Sequence, residues 1–226
     1  MRGSLALVEG ERLLAEYTLQ SSLSYLNRLL PGIQRLFEDT GRQVAEVQLL
    51  AVCLGPGNFT GLRIGLSTAK GLALALGCPV VTVGSLEALA ANFPFSTRPI
   101  GAIMDAKKNE VYAAFFRCDE QFPQRVGDFL LLPPEDLAAR LTSPTILTGP
   151  GLERYDQLLK SQVGENGLWA PPELSHIRAG VLARLGLRQL ALGQTAAIDQ
   201  LTPFYLRAAD AVLPGPPKGG CASFNS

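Results

Sequence analysis

The spacing of hydrophobic residues changes along the first part of the chain. Two short apolar runs, Ser4–Val8 and Leu13–Leu19, flank the polar turn Glu9-Gly10-Glu11, and this pattern predicts a β-hairpin. Between Leu23 and Phe37, apolar residues recur at intervals of three and four, which predicts an amphipathic helix. A continuous apolar run, Val47–Leu54, comes next and predicts a strand that is covered on both faces.

A glycine-rich turn after this run opens a second strand-and-helix unit. A helix is predicted over Phe59–Leu76, and Gly77-Cys78-Pro79 ends it. Val80–Val83 predicts another strand, and Ser85–Asn92 another helix with Ser85 as its N-cap. This succession of strands and helices is typical of a parallel sheet layered with helices, so the expected class is α/β.

Residues 93–99 contain two prolines without periodicity, and the pattern restarts beyond them. We therefore predict two lobes of about 100 residues each, one over residues 1–98 and one over residues 99–202. Residues 203–213 are expected to return to the first lobe, and the proline-rich tail 214–226 is expected to be disordered. The second lobe is predicted to contain strands at Ile100–Met104, Val111–Arg117, Arg125–Leu132 and Thr145–Leu147, and helices at Pro134–Leu141, Leu152–Lys160 and His176–Leu192.

The charge balance of the chain narrows the range of partners. Twenty basic and 20 acidic residues among 226 give no net charge at pH 7. Because nucleic-acid affinity depends largely on neutralising phosphates, we expect weak nucleic-acid binding by this chain alone. Charged residues make up 18% of the chain, below the roughly 25% of ordinary soluble domains. This low share indicates that a partner covers part of the surface.

Histidine and cysteine are too sparse for several kinds of catalytic site. His176 is the single histidine, and the cysteines Cys53, Cys78, Cys118 and Cys221 are widely spaced. These counts argue against a zinc site or a Ser-His-Asp triad, and we predict no metal site and no catalytic residue. The first residues lack the apolar core of a signal peptide. No apolar run approaches the roughly 18 residues of a membrane span, so we expect a cytoplasmic protein without membrane association.

The glycine-rich turn before the second helix admits two interpretations. Gly55, Gly57, Thr60 and Arg63 could form a phosphate loop, because a helix N-terminus offers backbone N–H groups and a positive dipole end. The sequence matches neither of the common phosphate-loop patterns. The alternative is a tight turn in which the glycines supply an unusual backbone conformation and Thr60 caps the helix.

A stripe of small residues follows one face of the second predicted helix. Small residues allow another helix to approach closely, and the rest of this helix is apolar nearly all round, so it must be covered on more than one side. Packing within the chain and packing against a partner both remain open from the spacing. The stripe consists of Gly61, Gly65, Thr68, Ala69 and Leu72.

Five sequence blocks, taken in order, resemble the TsaB (YeaZ) family. The first block runs from Gly55 to Gly65 as GPGNFTGLRIG, with Asn58 where the family has serine, and AKGLA at 69–73 follows. Further blocks are GSLEALA at 84–90 and MDAKKNEVY at 104–112, and the last is PFYLR at 203–207 with DAV at 210–212. Together the blocks cover roughly residues 3–213, which makes the resemblance far more specific than any single glycine-rich loop.

The resemblance implies a two-lobed fold related to actin, Hsp70 and sugar kinases. It also implies a role in the synthesis of N6-threonylcarbamoyladenosine, a modified nucleoside next to the anticodon of tRNAs that read A-starting codons. The catalytic subunit of that family's complex is a paralogue, TsaD, with a metal-binding HxxxH pair, and a TsaE ATPase joins them. ATP and a metal ion are therefore expected in the partner subunits and no cofactor on this chain, whose single histidine cannot form the pair.

The family's pairing surface is built from its first two helices, which match Leu23–Phe37 and Phe59–Leu76 here. We expect the chain to pair with a TsaD-like paralogue, or with a second copy when alone, and to meet tRNA only within the complex. The residues expected at this interface are Leu26, Leu30, Ile33, Gly61, Gly65, Thr68, Ala69 and Leu72.

One departure from the family concerns the start of the chain. Family members open with a strand before the hairpin, whereas this sequence begins in what resembles the second strand. The missing strand would lie in the middle of the first sheet, and its loss would expose two rows of backbone groups. We therefore expect that the recorded start lies downstream of the true one.

Two other functions are alternatives to the partner subunit. A small-molecule kinase or ATPase of the actin-like fold would need an acidic phosphate-binding hairpin at the start, which this sequence lacks. A peptidase would need metal ligands or a triad, and one histidine argues against both. Asp105 and Glu110 could form a carboxylate pair, but a structural turn with solvated Lys107 and Lys108 is the preferred interpretation.

Overall fold

The computed structural model describes residues 2–20, 26–118, 120–204 and 206 of the chain. Helices and strands alternate in a mixed α/β fold, and the strands form three separate sheets. The first sheet is an antiparallel hairpin of β1 (Arg2–Glu9) and β2 (Arg12–Gln20). The predicted hairpin is therefore confirmed, and each strand is slightly longer than the apolar run that predicted it.

The second sheet contains two parallel strands joined by a long helix. β3 (Leu50–Gly55) pairs with β4 (Val80–Gly84), and α2 (Phe59–Leu76) forms the crossover between them. The bounds predicted for α2 are confirmed. The predicted strand from Val47 begins three residues late, at Leu50, and a short 3-10 turn occupies Val44–Glu46.

The third sheet has five strands, and its central strand is paired on both sides. The sheet order is β7-β6-β5-β8-β9, with β5 antiparallel to β6 and parallel to β8. The predicted linker over 93–99 is wrong in part, because residues from Ser96 onwards already belong to β5. The strands are β5 (Ser96–Lys107), β6 (Glu110–Cys118), β7 (Gln124–Leu132), β8 (Thr145–Thr148) and β9 (Gly167–Trp169), of which β9 was not predicted.

Five more helices pack on these sheets. They are α1 (Leu26–Thr40), α3 (Ser85–Ala90), α4 (Pro134–Ala138), α5 (Gly151–Val163) and α6 (Ala179–Ala191). The last of them spans both small sheets. A Cβ at Gly186 would lie 2.8 Å from the Ala51 side chain in β3, and one at Gly180 would lie 3.0 Å from Leu13 in β2. The helix predicted from His176 begins three residues later than expected, at Ala179.

Two predicted helix caps are wrong. Asn58, not Thr60, caps α2, and its side-chain oxygen accepts a hydrogen bond from Gly61 N–H at 3.0 Å. Gly84 occupies the N-cap position of α3, and Ser85 is the first helical residue. Ser85 Oγ lies instead 2.9 Å from Cys53 Sγ. The Asn58 cap explains how α2 can begin with Phe59.

β4 contains the fully buried Val80, Val81 and Val83, and many of the other best-buried side chains surround the five-stranded sheet. On one face Ile103, Leu147 and Leu159 are at most 1% exposed, and on the other Leu86 and Leu89 are fully buried. Within the described residues, no helix has the length and apolar character that crossing a membrane requires. The hairpin and β3 are covered less completely, and that difference shapes the candidate site.

Candidate functional site

The glycine-rich turn after β3 is filled by residues from distant parts of the chain. Gly55 has φ +117°, and a Cβ there would lie 2.8 Å from the Phe204 carbonyl oxygen. Phe204 N–H also donates to the Leu54 carbonyl at 2.9 Å. At Gly57 a Cβ would lie 3.4 Å from Met104 Cε. Gly55 is therefore required by its backbone conformation and by the close approach of Phe204, as the tight-turn interpretation predicted. For Gly57 that prediction is wrong, because its φ is not in the left-handed region and a Cβ there would make an ordinary contact with the end of the Met104 side chain.

The four candidates for a phosphate loop do not share one surface. Gly55 is buried behind the segment that contains Phe204, whereas Thr60 and Arg63 are exposed on the first turns of α2. The Asn58 side chain already binds one of the backbone N–H groups at the start of this helix. Phosphate binding at this turn stays a prediction, and the geometry places Thr60 and Arg63 where solvent reaches them.

The small-residue stripe of α2 lines a large cavity. The cavity has a volume of about 1560 Å³ and lies between the hairpin, β3 and the helices around them. A Cβ at Gly65 would meet nothing within 4 Å, while Ala69 is 8% exposed. All five stripe residues, Gly61, Gly65, Thr68, Ala69 and Leu72, belong to the wall of this cavity.

The candidate interface residues of α1 lie on two sides of that helix. Ile33 lines the cavity together with Leu29 and Leu36, which are 5% and 3% exposed. Leu30 lies on the other side and is 58% exposed. Leu26 is the first residue of α1, and its side chain lies outside the described residues. The structure therefore brings Ile33 and the α2 stripe to one cavity and leaves Leu30 facing solvent.

Three large hydrophobic side chains on α1 and α2 are exposed in the isolated chain. Leu74 is 72% exposed, Leu30 58% and Phe59 37%. Leu74 was not among the predicted interface residues, because the helix is apolar nearly all round and spacing alone does not tell which face is turned outward. Single exposed hydrophobic residues are ordinary on protein surfaces, so these positions acquire meaning only if a partner contacts both helices.

Asp105 lies at the end of β5 and organises the turn that leads into β6. Its carboxylate accepts hydrogen bonds from Lys107 N–H at 2.8 Å and from Lys107 Nζ at 2.9 Å. Arg154 of α5 donates to the same carboxylate at 3.3 Å. Burial opposes ionisation, but the bonds and charges of Lys107 and Arg154 outweigh it and lower the pKa of Asp105. Asp105 is thus an ionised anchor for a turn, which fits the preferred structural interpretation.

The turn held by Asp105 has an unusual backbone. Lys107, Lys108 and Asn109 have φ values of 63°, 51° and 58°, all in the left-handed region. Such a conformation costs a side-chain-bearing residue about 1 kcal/mol or more. Arg154 also reaches Asn109 Oδ1, at 3.4 Å. These contacts explain how three successive left-handed residues are kept in place. In the sequence, the polar run Lys107-Lys108-Asn109 indicated a turn here.

Sequence patterns did not reveal the ionic contacts that position the hairpin. Arg2 pairs with Glu153 of α5 at 3.0 Å. Glu16 of β2 accepts from Arg178 at 2.9 Å and from Gly180 N–H at 2.8 Å at the start of α6. These partners are more than 150 residues apart, and no local spacing links them. No group of three or more histidine, cysteine, aspartate or glutamate residues that could hold a metal ion occurs within the described ranges.

Comparison with known proteins places the chain in a family. A family model described as TsaD, tRNA N6-adenosine threonylcarbamoyltransferase, matches residues 18–133. The tRNA threonylcarbamoyladenosine biosynthesis protein TsaB of Haemophilus influenzae is 37% identical, with 81% of this chain and 80% of that protein covered. The TsaB protein of Bacillus subtilis is 28% identical over 92% of this chain and 90% of its own length.

A solved structure agrees with these sequence similarities. YeaZ from Pseudomonas aeruginosa superposes with a TM-score of 0.76 at 27% identity, and the match covers 90% of this chain and 93% of that one. On these grounds the chain is a member of the TsaB (YeaZ) family.

Proposed function

We propose that this chain is a non-catalytic partner subunit of the bacterial complex that makes N6-threonylcarbamoyladenosine next to the anticodon of tRNAs reading A-starting codons. Membership of the TsaB family is the observation that carries this proposal. The sequence adds support, because its one histidine cannot supply the HxxxH metal pair expected of the catalytic paralogue. ATP and a metal ion belong, in this proposal, to the partner subunits.

The proposed arrangement of the chain is two-lobed and actin-like. The hairpin, β3, β4, α1 and α2 form the N-terminal lobe, on which α6 also packs, and the rest of residues 99–202 form most of the C-terminal lobe. Phe204 supports a return of the chain to the first lobe, because its N–H bonds to Leu54 in β3. This arrangement includes one further strand beside β3, which the described residues do not supply. The predicted disorder of residues 214–226 lies outside the described part of the chain.

The proposed partners are a TsaD-like paralogue and a TsaE-like ATPase, with tRNA bound only through the complex. Helices α1 and α2 supply the pairing surface, and a second copy uses the same surface when the paralogue is absent. Gly65 lies on the wall of the large cavity, so a partner would reach the α2 backbone there by entering the cavity. Exposed Leu30 supports this pairing surface, since a partner on α1 would bury that side chain.

An activity assay tests the functional part of the proposal. Threonylcarbamoylation of tRNA is measured with the TsaD-like paralogue and the TsaE-like ATPase, with and without this chain. We expect modification that depends on the chain, and none from the chain alone. Modified tRNA produced by the purified chain alone would contradict the non-catalytic assignment. Equal modification with and without the chain would contradict its place in the complex.

A matched pair of substitutions in α2 tests the pairing surface. Gly65→Glu places a charge on the stripe, whereas Gly71→Glu places the same charge on the exposed side of the helix. Burying an unpaired charge costs several kcal/mol, and each 1.4 kcal/mol is tenfold in affinity. We therefore expect Gly65→Glu to weaken association with the paralogue at least about a hundredfold, and Gly71→Glu to leave it nearly unchanged.

Circular dichroism checks that both variants fold, and analytical ultracentrifugation measures association. Glutamate favours a helix over glycine by nearly 1 kcal/mol, so the helix itself should tolerate either change. If Gly71→Glu is the damaging variant, the pairing surface lies on the side of Leu74 instead. If Gly65→Glu unfolds the chain, the stripe packs within the lobe.

A further inference from the structure

Two connections of the chain between the short sheets and the five-stranded sheet lie side by side. The first is the segment 91–95, between α3 and β5, and the second is the segment 170–178, between β9 and α6. The side-chain amide nitrogen of Asn92 donates to the Leu174 and His176 carbonyls, at 2.9 and 3.0 Å. A rotation of the five-stranded sheet against the short sheets would therefore bend both connections at one place, as a hinge does.

Phe95, in the first connection, has a strained backbone. Its φ of 61° lies in the left-handed region, where the Cβ of an ordinary residue comes too close to a carbonyl oxygen. Phe95 is 66% exposed, so packing of its ring does little to offset the strain. A backbone hydrogen bond from Phe95 N–H to the Glu120 carbonyl, at 3.0 Å, holds this conformation. Strain of this kind persists where the surrounding structure enforces it, and it is common in segments that switch conformation.

Glu120 belongs to a short segment, residues 120–123, that leads into β7 of the five-stranded sheet. Phe122 of this segment nevertheless packs against an apolar cluster formed by β4, α3 and α6. That cluster includes Val83 of β4 and Leu185 of α6, which are at most 1% exposed. We call residues 120–123 the strap, because they extend from the five-stranded sheet onto the elements that pack with the short sheets.

Two arginines of α6 hold the ring of Phe122. The guanidinium carbon of Arg188 lies 4.5 Å from the ring centroid and that of Arg184 lies 5.9 Å from it, both within the range of a cation–π attraction. Arg184 also donates to the Ala91 carbonyl at 3.1 Å, where the first connection begins. Burial raises the pKa of Glu87 in α3, and the nearby charge of Arg188 opposes this shift. The two arginines thus join the strap, α3 and α6 at one place.

The strap couples the ring contact to the strained backbone. Glu120 and Phe122 are two residues apart, so a ring that leaves the arginines displaces the Glu120 carbonyl. Loss of the hydrogen bond to that carbonyl removes the restraint on Phe95, whose backbone can then relax to a negative φ. Because β5 begins at the next residue, Ser96, the relaxation turns the five-stranded sheet relative to the short sheets. The arrangement with Phe122 in place therefore stores strain that its departure releases.

We propose that the strap controls a hinge: with Phe122 held by Arg184 and Arg188 it keeps the five-stranded sheet closed on α6, and its release lets the sheets rotate about residues 91–95. A simple packing contact would only stabilise the fold. The strap instead sets the balance between a closed and an open arrangement, and the strain at Phe95 favours the open one. The strap and the hinge belong to this chain alone, so the proposal stands whether or not the chain acts as a TsaD partner.

A matched pair of truncations tests the strap. Phe122→Ala removes the ring held by the arginines, whereas Phe115→Ala removes a partly buried ring that packs within the core of the five-stranded sheet. Hydrogen exchange is measured by NMR at the Phe95 amide and compared with the slowest amides of β5. We expect Phe122→Ala to speed exchange at Phe95 at least about tenfold relative to those amides, which corresponds to about 1.4 kcal/mol. Phe115→Ala should leave the ratio unchanged.

Substitutions of Phe95 test the stored strain. Glycine adopts the left-handed conformation at little cost, so Phe95→Gly should favour the closed arrangement. We expect it to raise the protection factor at position 95 at least about threefold, and to restore part of the protection lost in Phe122→Ala. Phe95→Ala keeps the strain and removes only the exposed ring, so it should change little. If Phe95→Gly lowers the protection factor, the closed arrangement stores no strain and the proposal is overturned.

Residual dipolar couplings test the rotation itself. In the unsubstituted chain and in Phe115→Ala, one alignment should describe the amides of β4 and α6 together with those of β5 and β6. In Phe122→Ala the two sets should require different degrees of order, because the sheets then move against each other. Phe122→Leu, which keeps an apolar side chain without a π face, should act in the same direction with a smaller effect and serves if the alanine variant does not fold. One common alignment in the variant used overturns the proposal, whatever its melting temperature, because Phe122 is then a packing contact alone.

Discussion

Strands of similar sequence character are buried to very different extents in the two halves of this molecule. Ile100, Ala102 and Leu147 in the five-stranded sheet are fully buried. In β3, apolar residues from Leu50 to Leu54 are only partly buried, although their run is just as continuous. Within the described residues β5 has a strand on each side and β3 has one, but strand number alone does not set burial. β4 also has one neighbouring strand there, and its Val80, Val81 and Val83 are fully buried. β3 differs from both strands in lining the large cavity.

Matched core truncations should give the largest difference in stability between the two halves. Leu147→Ala removes a fully buried side chain between β5 and β9, and should cost about 3 kcal/mol of unfolding free energy, because the space left behind cannot collapse. Leu50→Ala removes a partly buried side chain of β3 and should cost about 1 kcal/mol. Urea denaturation measures both. Equal losses would show that β3 is as well packed in solution as the central sheet.

Two turns of identical sequence offer the next comparison. Gly55-Pro56-Gly57 follows β3, and Gly149-Pro150-Gly151 follows β8, and the first glycine of each has φ +117°. A Cβ at Gly149 would lie 2.2 Å from the Ile103 carbonyl oxygen in the central strand. At Gly55 it would meet the Phe204 carbonyl, which belongs to no helix or strand. The Ile103 carbonyl is held in place by the sheet, whereas the Phe204 carbonyl is not part of a sheet.

We therefore expect Gly149→Ala to destabilise the chain by about 3 kcal/mol and Gly55→Ala by about 1 kcal/mol, since the Phe204 segment can shift. Thermal unfolding followed by circular dichroism ranks the two variants. If Gly55→Ala proves the more damaging, the contact with Phe204 is as rigid as the central sheet. The comparison between the two halves then fails at this turn.

Local sequence patterns predicted most elements but not the relation between the sheets. The period of Leu23–Phe37 and the apolar run of Phe59–Leu76 were sufficient to predict α1 and α2, because side-chain spacing reports directly on a helix. β9 has three residues, too few for a periodic signal. The cap of α2 was assigned to Thr60 although Asn58 was available, and only the position of the Gly61 N–H decides between them.

The candidate site was less predictable than the fold. The small-residue stripe of α2 was recognised, but which structure it faces depends on where α1 and the hairpin lie. Their positions are fixed by contacts such as Glu16 with Arg178 and Glu9 with Arg42, which join distant parts of the sequence. Leu74 faces outward from α2, and no local sequence pattern distinguishes it from the leucines of the same helix that face inward. Contacts between distant parts of the chain thus decide which structure the α2 stripe faces, and residue spacing along the sequence does not.

The pH dependence of stability tests whether the Asp105 cluster holds the turn between β5 and β6. The pKa of Asp105 is lowered in the folded chain by Lys107 and Arg154, against the effect of burial. Because the folded-state pKa lies below the unfolded value of about 3.9, this stabilisation is complete above roughly pH 4. It is lost as the pH falls through the folded-state pKa.

Asp105→Asn should therefore cost up to about 1 kcal/mol at pH 7, since the pairs are partly exposed to solvent. The difference from the unsubstituted chain should shrink towards zero in strong acid. Unfolding free energies measured in urea from pH 2 to pH 7 give the profile. A deficit that stays constant over that range would mean that the Asp105 charge contributes nothing.

The smallest expected effects come from alanine at two glycines of α2, and they examine the open half of the molecule directly. A Cβ at either Gly65 or Gly71 would meet nothing within 4 Å. Alanine restricts the unfolded chain and favours the helix, so each substitution should stabilise the chain by about 0.5 kcal/mol. Gly71 faces solvent and serves as the reference, whereas Gly65 faces the cavity. Equal gains in urea denaturation would show that the cavity side of α2 is as open as its solvent side, and a loss at Gly65 with a gain at Gly71 would show that something packs against the stripe in solution.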